Sequence, residues 1–179
     1  MADRADARTW THRCIFMALA FVIIVAQLVP LDMRPITWSP PDLLLVITLV
    51  WVARRPHYLP VFVIAFLFLA ADLLFQRPPG LWAALVVILT ETIRRQNRDF
   101  RNMPLMVEWG TITIGIVGIT LVNRLILIIT MVPQAPLGLS LIQMIATIAI
   151  YPLVVLIAHF IFGVSRSAPG EIGSRGQRI

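Results

Sequence analysis

The chain has 179 residues, of which 59% are hydrophobic and 13% are charged, and its formal net charge is +6. So little polar surface excludes a soluble domain, because an apolar core would stay in contact with water, and it predicts one integral membrane domain. The positive charge lies in tails and connections without aromatic interleaving, which favours anionic lipids over nucleic acid as its partner. A single cysteine, Cys14, excludes an internal disulfide and a cysteine-rich metal site.

The first of six apolar runs extends from Cys14 to Val29 and follows a tail, residues 1–13. It is similar to the core of a signal peptide, but no small-residue cleavage site follows it and five more runs do. We therefore predict a retained first transmembrane helix.

The second and fourth runs, Asp42 to Ala53 and Leu81 to Ile93, are short. They would form about 18 to 20 Å of helix against a hydrocarbon core of roughly 30 Å, so they need protein neighbours that shield their ends. Ser39-Pro40-Pro41-Asp42 predicts the start of the second helix, because Ser39 can cap it, prolines are tolerated in a first turn and an acidic residue suits the positive end of the helix dipole. The third run, Leu59 to Phe75, stops before Arg77-Pro78-Pro79-Gly80, which predicts an antiparallel hairpin with the fourth.

The last two runs are longer. Met103 to Thr130 exceeds one upright span and is interrupted by Asn123-Arg124, so we expect it to tilt or to bend outside the bilayer. The run from Leu137 to Phe162 contains Tyr151-Pro152, which predicts a kink or a loosened turn. Residues 164–179 are polar and glycine-rich, which is typical of a flexible tail.

Arginine is concentrated in every second connection. Most basic residues lie in the two tails and after the second and fourth runs, whereas the other connections hold only Arg34, Arg77 and Arg124. Because cytoplasmic segments accumulate Lys and Arg, this alternation predicts that both termini are cytoplasmic and that the chain crosses the membrane six times. The predicted fold is therefore an all-α membrane protein, a compact bundle of six transmembrane helices over residues 14–163.

A small-residue stripe, Thr111, Gly115 and Gly118, follows helical spacing in the fifth run. Such a stripe lets another helix approach closely, and packing inside the bundle is favoured over a dimer surface because every helix of the bundle needs neighbours.

Four charged residues fall at similar depth in the predicted outer half of the membrane: Asp42, Asp72, Arg77 and Arg124. Buried charges are costly and usually face protein or water, so we predict that at least one acid–arginine pair forms here or that the four line a shallow polar pocket. The alternative is that each side chain reaches towards water from a helix end.

No constellation for catalysis, a cofactor or a metal stands out. The chain contains no zinc-protease motif, nucleophile elbow or phosphate-binding glycine loop. Its three histidines are scattered over a tail, a turn and a late helix position, so a shared metal site is not expected. Glu108 is interpreted as an interfacial carboxylate close to the arginine-rich turn rather than as a proton carrier. We therefore expect a protein that is not an enzyme.

Four segments together carry a resemblance to a known family: 39–46 (SPPDLLLV), 50–56 (VWVARRP), 71–74 (ADLL) and 77–83 (RPPGLWA). In order and spacing they resemble MreD, the rod-shape-determining membrane protein of bacteria. The resemblance covers roughly residues 35–95, and the hydropathy of the whole chain is similar.

The resemblance implies a non-enzymatic scaffold in the bacterial inner membrane that supports rod shape and lateral peptidoglycan synthesis. It implies binding to MreC and work with RodA, a class B penicillin-binding protein and, through the complex, MreB. It also implies a fold similar to the substrate-binding components of energy-coupling-factor transporters. Asp42, Asp72, Arg77 and Gly80 match its motif positions and are structural or partner-contact candidates, as is Arg124 from its depth. Where the family often has a glycine before Asp-Leu-Leu, this chain has 68–71 (FLAA).

Two other functions stay open at this point. A solute- or lipid-binding component of a transporter is the main alternative, because short helices with charges at depth can enclose a cavity. A closed polar cavity lined by the four charges would favour binding, whereas charges that pair and pack would favour a scaffold. A lipid-processing enzyme is third, because no catalytic motif supports it.

Overall fold

The computed structural model describes residues 2–29, 39–56, 58–100 and 105–162, and these ranges form six α-helices without a β-strand. Arg34, His57 and the segment 164–179 lie outside the described residues. The helices are α1 (Ala2–Leu28), α2 (Leu43–Arg54), α3 (Val61–Leu74), α4 (Leu81–Phe100), α5 (Leu105–Ile129) and α6 (Leu137–Phe162).

The helix positions agree with the apolar runs, with differences at some ends. Helix α1 begins at Ala2, well before the predicted start, and α4 continues past Ile93 to Phe100. Helix α5 is a single helix that runs through Asn123 and Arg124, and α6 continues through Pro152. Polar residues and one proline thus interrupt the apolar pattern without ending the helices, which is common where neighbouring helices supply the packing.

Among the described residues, three helices are long and apolar enough to cross a membrane: α1 over Trp10–Leu28, α5 over Leu105–Ile129 and α6 over Leu137–Ala158. Helices α2 and α3 are apolar but shorter, with 12 and 14 residues. An all-helical chain with such segments fits a membrane protein.

Helix α2 lies at the centre of the structure. All ten residues from Leu44 to Ala53 are buried, and the helix packs against α1, α4 and α6. A helix that is apolar all round is stable only where every face is covered. The shortest helix is therefore enclosed by its neighbours, as expected for a segment of about 18 Å that cannot span a bilayer upright.

The helix ends gather at two opposite ends of the structure. At the first, α2, α4 and α6 begin and α3 and α5 end around a cavity; we call it the cavity end. At the second, α2 ends and α3 and α5 begin beside Arg13, Arg54, Arg55, Arg94 and Arg95; we call it the arginine end.

Arginines at the arginine end hold the loop between α2 and α3. The Nε–H of Arg13 on α1 donates to the Tyr58 carbonyl at 3.1 Å, and Arg94 on α4 donates to the Leu59 carbonyl at 2.6 Å. The His12 and Tyr58 rings stack with centroids 4.6 Å apart. Loop carbonyls lack helical partners, so two guanidinium groups satisfy them and tie three helices together.

The small-residue stripe of α5 divides between two environments. Gly115 lies so close to the Leu89 side chain of α4 that a Cβ at this position would displace it. Gly118 is exposed with open space around it, and the Thr111 hydroxyl donates to the Val107 carbonyl of its own helix at 2.9 Å. Of these three residues, Gly115 alone therefore provides a close approach between α4 and α5.

Candidate functional site

A half-open cavity of about 360 Å³ with both polar and apolar walls occupies the cavity end. Three of the four charged residues predicted at this depth, Asp42, Arg77 and Arg124, line it. Asp72, the fourth, lies in the core with no exposed surface. The wall also contains seven uncharged polar residues: Gln76, Thr120, Asn123, Gln134, Ser140, Gln143 and Thr147.

Asp42 caps helix α2 and joins it to α6. Its Oδ1 accepts a hydrogen bond from the Leu45 backbone N–H at 3.0 Å, as an N-cap carboxylate does. Its own backbone N–H donates to the Thr147 hydroxyl at 3.0 Å, and that hydroxyl donates to the Gln143 carbonyl at 2.6 Å. A local cap thus also positions the wall of the cavity.

Asp72 caps helix α4 from the neighbouring helix α3. Its Oδ2 accepts hydrogen bonds from the backbone N–H groups of Gly80 and Ala83, both at 3.1 Å. Gly80 has φ of 87°, a left-handed conformation that favours glycine. Asp72 and Gly80, two residues that carry the resemblance, are therefore brought together as one turn. The carboxylate also suits the positive end of the α4 dipole.

Arg124 joins the end of α5 to the start of α6. Its guanidinium donates to the Ser140 hydroxyl at 2.8 Å and to the Ala135 carbonyl at 3.3 Å. Arg77 lies at the exposed edge of the cavity, with its guanidinium 5.3 Å from the centre of the Phe75 ring.

The predicted acid–arginine pair is absent, since neither Asp42 nor Asp72 lies within 4.0 Å of the Arg77 or Arg124 guanidinium. The carboxylates instead accept hydrogen bonds from backbone N–H groups at the starts of α2 and α4. Helix starts supply such donors whatever the charge of neighbouring side chains, which explains why no direct pair forms.

An acid–arginine contact that sequence reasoning missed lies nearer the arginine end. The Tyr151 hydroxyl donates to Glu108 Oε1 at 2.7 Å, and Arg54 Nη2 lies 3.6 Å from the same oxygen. Glu108 and Tyr151 are buried, and the Arg54 side chain is 9% exposed. Glu108 is thus a core residue rather than an interfacial one. The feature of the sequence that could have indicated this burial is the position of Glu108, the fourth residue of an apolar helix.

A second missed feature is the polar face of α6. Ser140, Gln143 and Thr147 follow three- and four-residue steps, which places them on one side of a helix, and all three line the cavity. The spacing of these residues can be seen in the sequence. That they line a cavity depends on which helices pack against α6.

Chemically, the cavity offers cationic and hydrogen-bonding groups but no recognised nucleophile–base arrangement. Within the described ranges, no group of three or more His, Cys, Asp or Glu side chains is placed to hold a metal ion. No protein-family profile, curated protein or solved structure matches this chain. The fold and the site thus define an all-helical protein with segments that fit a membrane and a cavity with charged and polar residues in its wall at one end.

Proposed function

We propose that this protein is an MreD-like scaffold of the bacterial inner membrane that crosses the bilayer six times and binds an MreC-like single-span partner. The observation that carries the proposal is the structural role of the motif residues. Asp42, Asp72 and Gly80 carry the resemblance, and each builds a helix start or a turn rather than a reactive group. Motif residues that stabilise the fold, rather than carry out a reaction, are expected in a protein that functions by binding other proteins.

The charge distribution supports the proposed orientation. Arg13, Arg54, Arg55, Arg94 and Arg95 belong to the arginine end, which under the positive-inside rule faces the cytoplasm. The cavity end then faces outwards. In this arrangement α2, α3 and α4 also cross the membrane. They can do so because the bundle shields their ends and the bilayer thins around them.

An apolar groove between α1 and α3 is the surface we assign to the partner helix. It has a volume of about 400 Å³ and is lined mainly by apolar side chains, among them Met17, Phe62 and Phe66. On α3, the exposed residues Phe62, Phe66, Leu69 and Leu73 repeat at four-, three- and four-residue steps. That spacing is typical of a helix seam, which a transmembrane helix can meet by close packing.

The single cysteine permits a direct test, because Cys14 is exposed and lines this groove. Cysteines placed singly along the partner's span should form a disulfide with Cys14 at helical periodicity under mild oxidation. The control is Cys14→Ser combined with Ile114→Cys, because Ile114 is 75% exposed on α5, which packs against α4 and α6. Cross-linking at the control position alone would place the interface elsewhere. Failure of the two proteins to co-purify would contradict the scaffold proposal.

The cavity favours a second candidate function, a solute- or lipid-binding membrane component. Three of the four charges line one half-open space without pairing, which is part of the arrangement expected of a binding protein, a closed cavity lined by all four. Asp72, in contrast, is packed, as expected of a scaffold. The two functions are compatible, because the groove and the cavity involve different residues.

A further inference from the structure

We infer that the cavity binds a single oxyanion, a phosphodiester or a carboxylate, through Arg77 and Arg124. This inference deepens the second candidate function and is independent of partner binding at the groove between α1 and α3. The charged residues of the wall are two arginines and one aspartate, Asp42, so the wall carries a formal net charge of +1. One negative charge on a ligand would balance it.

The Arg124 side chain is pre-organised for such a ligand. Its bonds to Ser140 and Ala135 fix the guanidinium at the cavity wall. Nη1 and Nη2 each carry a second N–H that can donate to a bound oxyanion. Because the side chain is already held in place, little conformational entropy is lost on binding.

Arg77 supplies the second charge from the exposed edge. Its guanidinium rests against the Phe75 ring, and the left-handed Gln76 that precedes it, with φ of 54°, turns the chain at the cavity rim. Guanidinium groups match the planar oxygens of carboxylates and the paired oxygens of phosphates. Two of them on one wall favour an oxyanion over a cation or a neutral sugar.

The cavity becomes apolar with depth. Leu45 and Ile116, each 1% exposed, lie on its inner surface, whereas Arg77 and Gln76 are exposed. An apolar floor beneath a charged rim suits an amphiphile whose anionic group stays near the arginines. The volume of about 360 Å³ is at the lower end for small-molecule pockets, roughly 300 to 1,000 Å³, so it admits a headgroup or a small acid.

The same oxyanion can come from a lipid or from a water-soluble compound, and binding measurements on the full chain distinguish the two. Protein in a neutral detergent is titrated with phosphatidylglycerol, with phosphatidylcholine, and with glycerophosphoglycerol, the water-soluble phosphodiester headgroup of the first lipid, and binding is followed by native mass spectrometry. Phosphatidylglycerol should bind more tightly than zwitterionic phosphatidylcholine. Competition by glycerophosphoglycerol at similar concentration would assign a soluble source, and its failure would assign a lipid.

Matched arginine variants test the site itself. Arg77→Gln and Arg124→Gln should each weaken anion binding about tenfold, the loss of roughly one charge-assisted hydrogen bond. Arg95→Gln is the control, because Arg95 is an exposed arginine at the other end. Arg77→Gln removes an exposed side chain, so it tests the site even if Arg124→Gln fails to fold. Equal weakening by Arg95→Gln, unchanged binding in the Arg77 variant, or no binding of either anion would overturn the inference.

Discussion

Replacing Glu108 by glutamine tests whether the buried contact between α2, α5 and α6 holds these helices together. The variant keeps the shape of the side chain and an oxygen that can accept from the Tyr151 hydroxyl, 2.7 Å away in the native protein. It removes the negative charge 3.6 Å from Arg54 Nη2. The main change is therefore an arginine left in the core without its counter-charge.

The size of the effect follows from the burial. Removing one partner of a buried ion pair costs about 3 to 5 kcal/mol, because the other charge is left uncompensated. The distance of 3.6 Å is long for a charge-assisted bond, and the Arg54 side chain keeps 9% exposure, so we expect the lower figure, about 3 kcal/mol. Tyr151→Phe removes only a hydrogen bond to a charged group and should cost about 1.5 to 3 kcal/mol.

Reversible unfolding in mixed micelles, followed by circular dichroism during a denaturing-detergent titration, measures the free energy of unfolding of each variant. Glu91→Gln is the matched control, because Glu91 contacts Arg94 at 3.5 Å and Arg95 at 3.8 Å in half-exposed pairs that are worth less than about 1 kcal/mol. The double variant Arg54→Met/Glu108→Gln should lose less than the two single losses added, since it removes both charges. Equal stability of the Glu108 and Glu91 variants, or strict additivity in the double variant, would refute the reasoning.

Three further predictions concern helix ends, packing and topology. Asp72→Ala should lower the free energy of unfolding by about 1 to 2 kcal/mol, because α4 loses its cap. Asp72→Asn should lower it less, because asparagine keeps an acceptor oxygen. Equal losses in the two variants would contradict a capping role. Gly115→Leu should cost about 1 to 3 kcal/mol by overpacking against Leu89, with Gly118→Leu as the nearly neutral control, both measured in the same titration. Reporters fused to either terminus should be cytoplasmic, and a periplasmic signal from one of them would break the six-span topology.

Local chemistry allowed much of the helix layout to be predicted from the sequence. The sixth helix has the predicted bounds, Leu137 and Phe162, and the second begins at Leu43, directly after the proline-rich lead-in, although Asp42 rather than Ser39 is its N-cap. Apolar length, capping and proline placement act over a few neighbouring residues, so one segment contains the information. The same is true of the charge alternation, although the orientation drawn from it stays a prediction.

Contacts between distant segments decided the rest. Glu108 and Tyr151 are 43 positions apart, and Arg94 is 35 positions from the carbonyl that it binds. Whether an arginine faces lipid, a loop carbonyl or a buried acid depends on which helices become neighbours. Which helices become neighbours depends on how whole helix faces pack around α2. Each face could pack against several other helices, and the arrangement of the remaining helices selects one of them. The sequence by itself therefore determined an apolar helical chain with charged connections, whereas only the tertiary structure gathered Asp42, Arg77 and Arg124 around one cavity and enclosed Glu108 in the core.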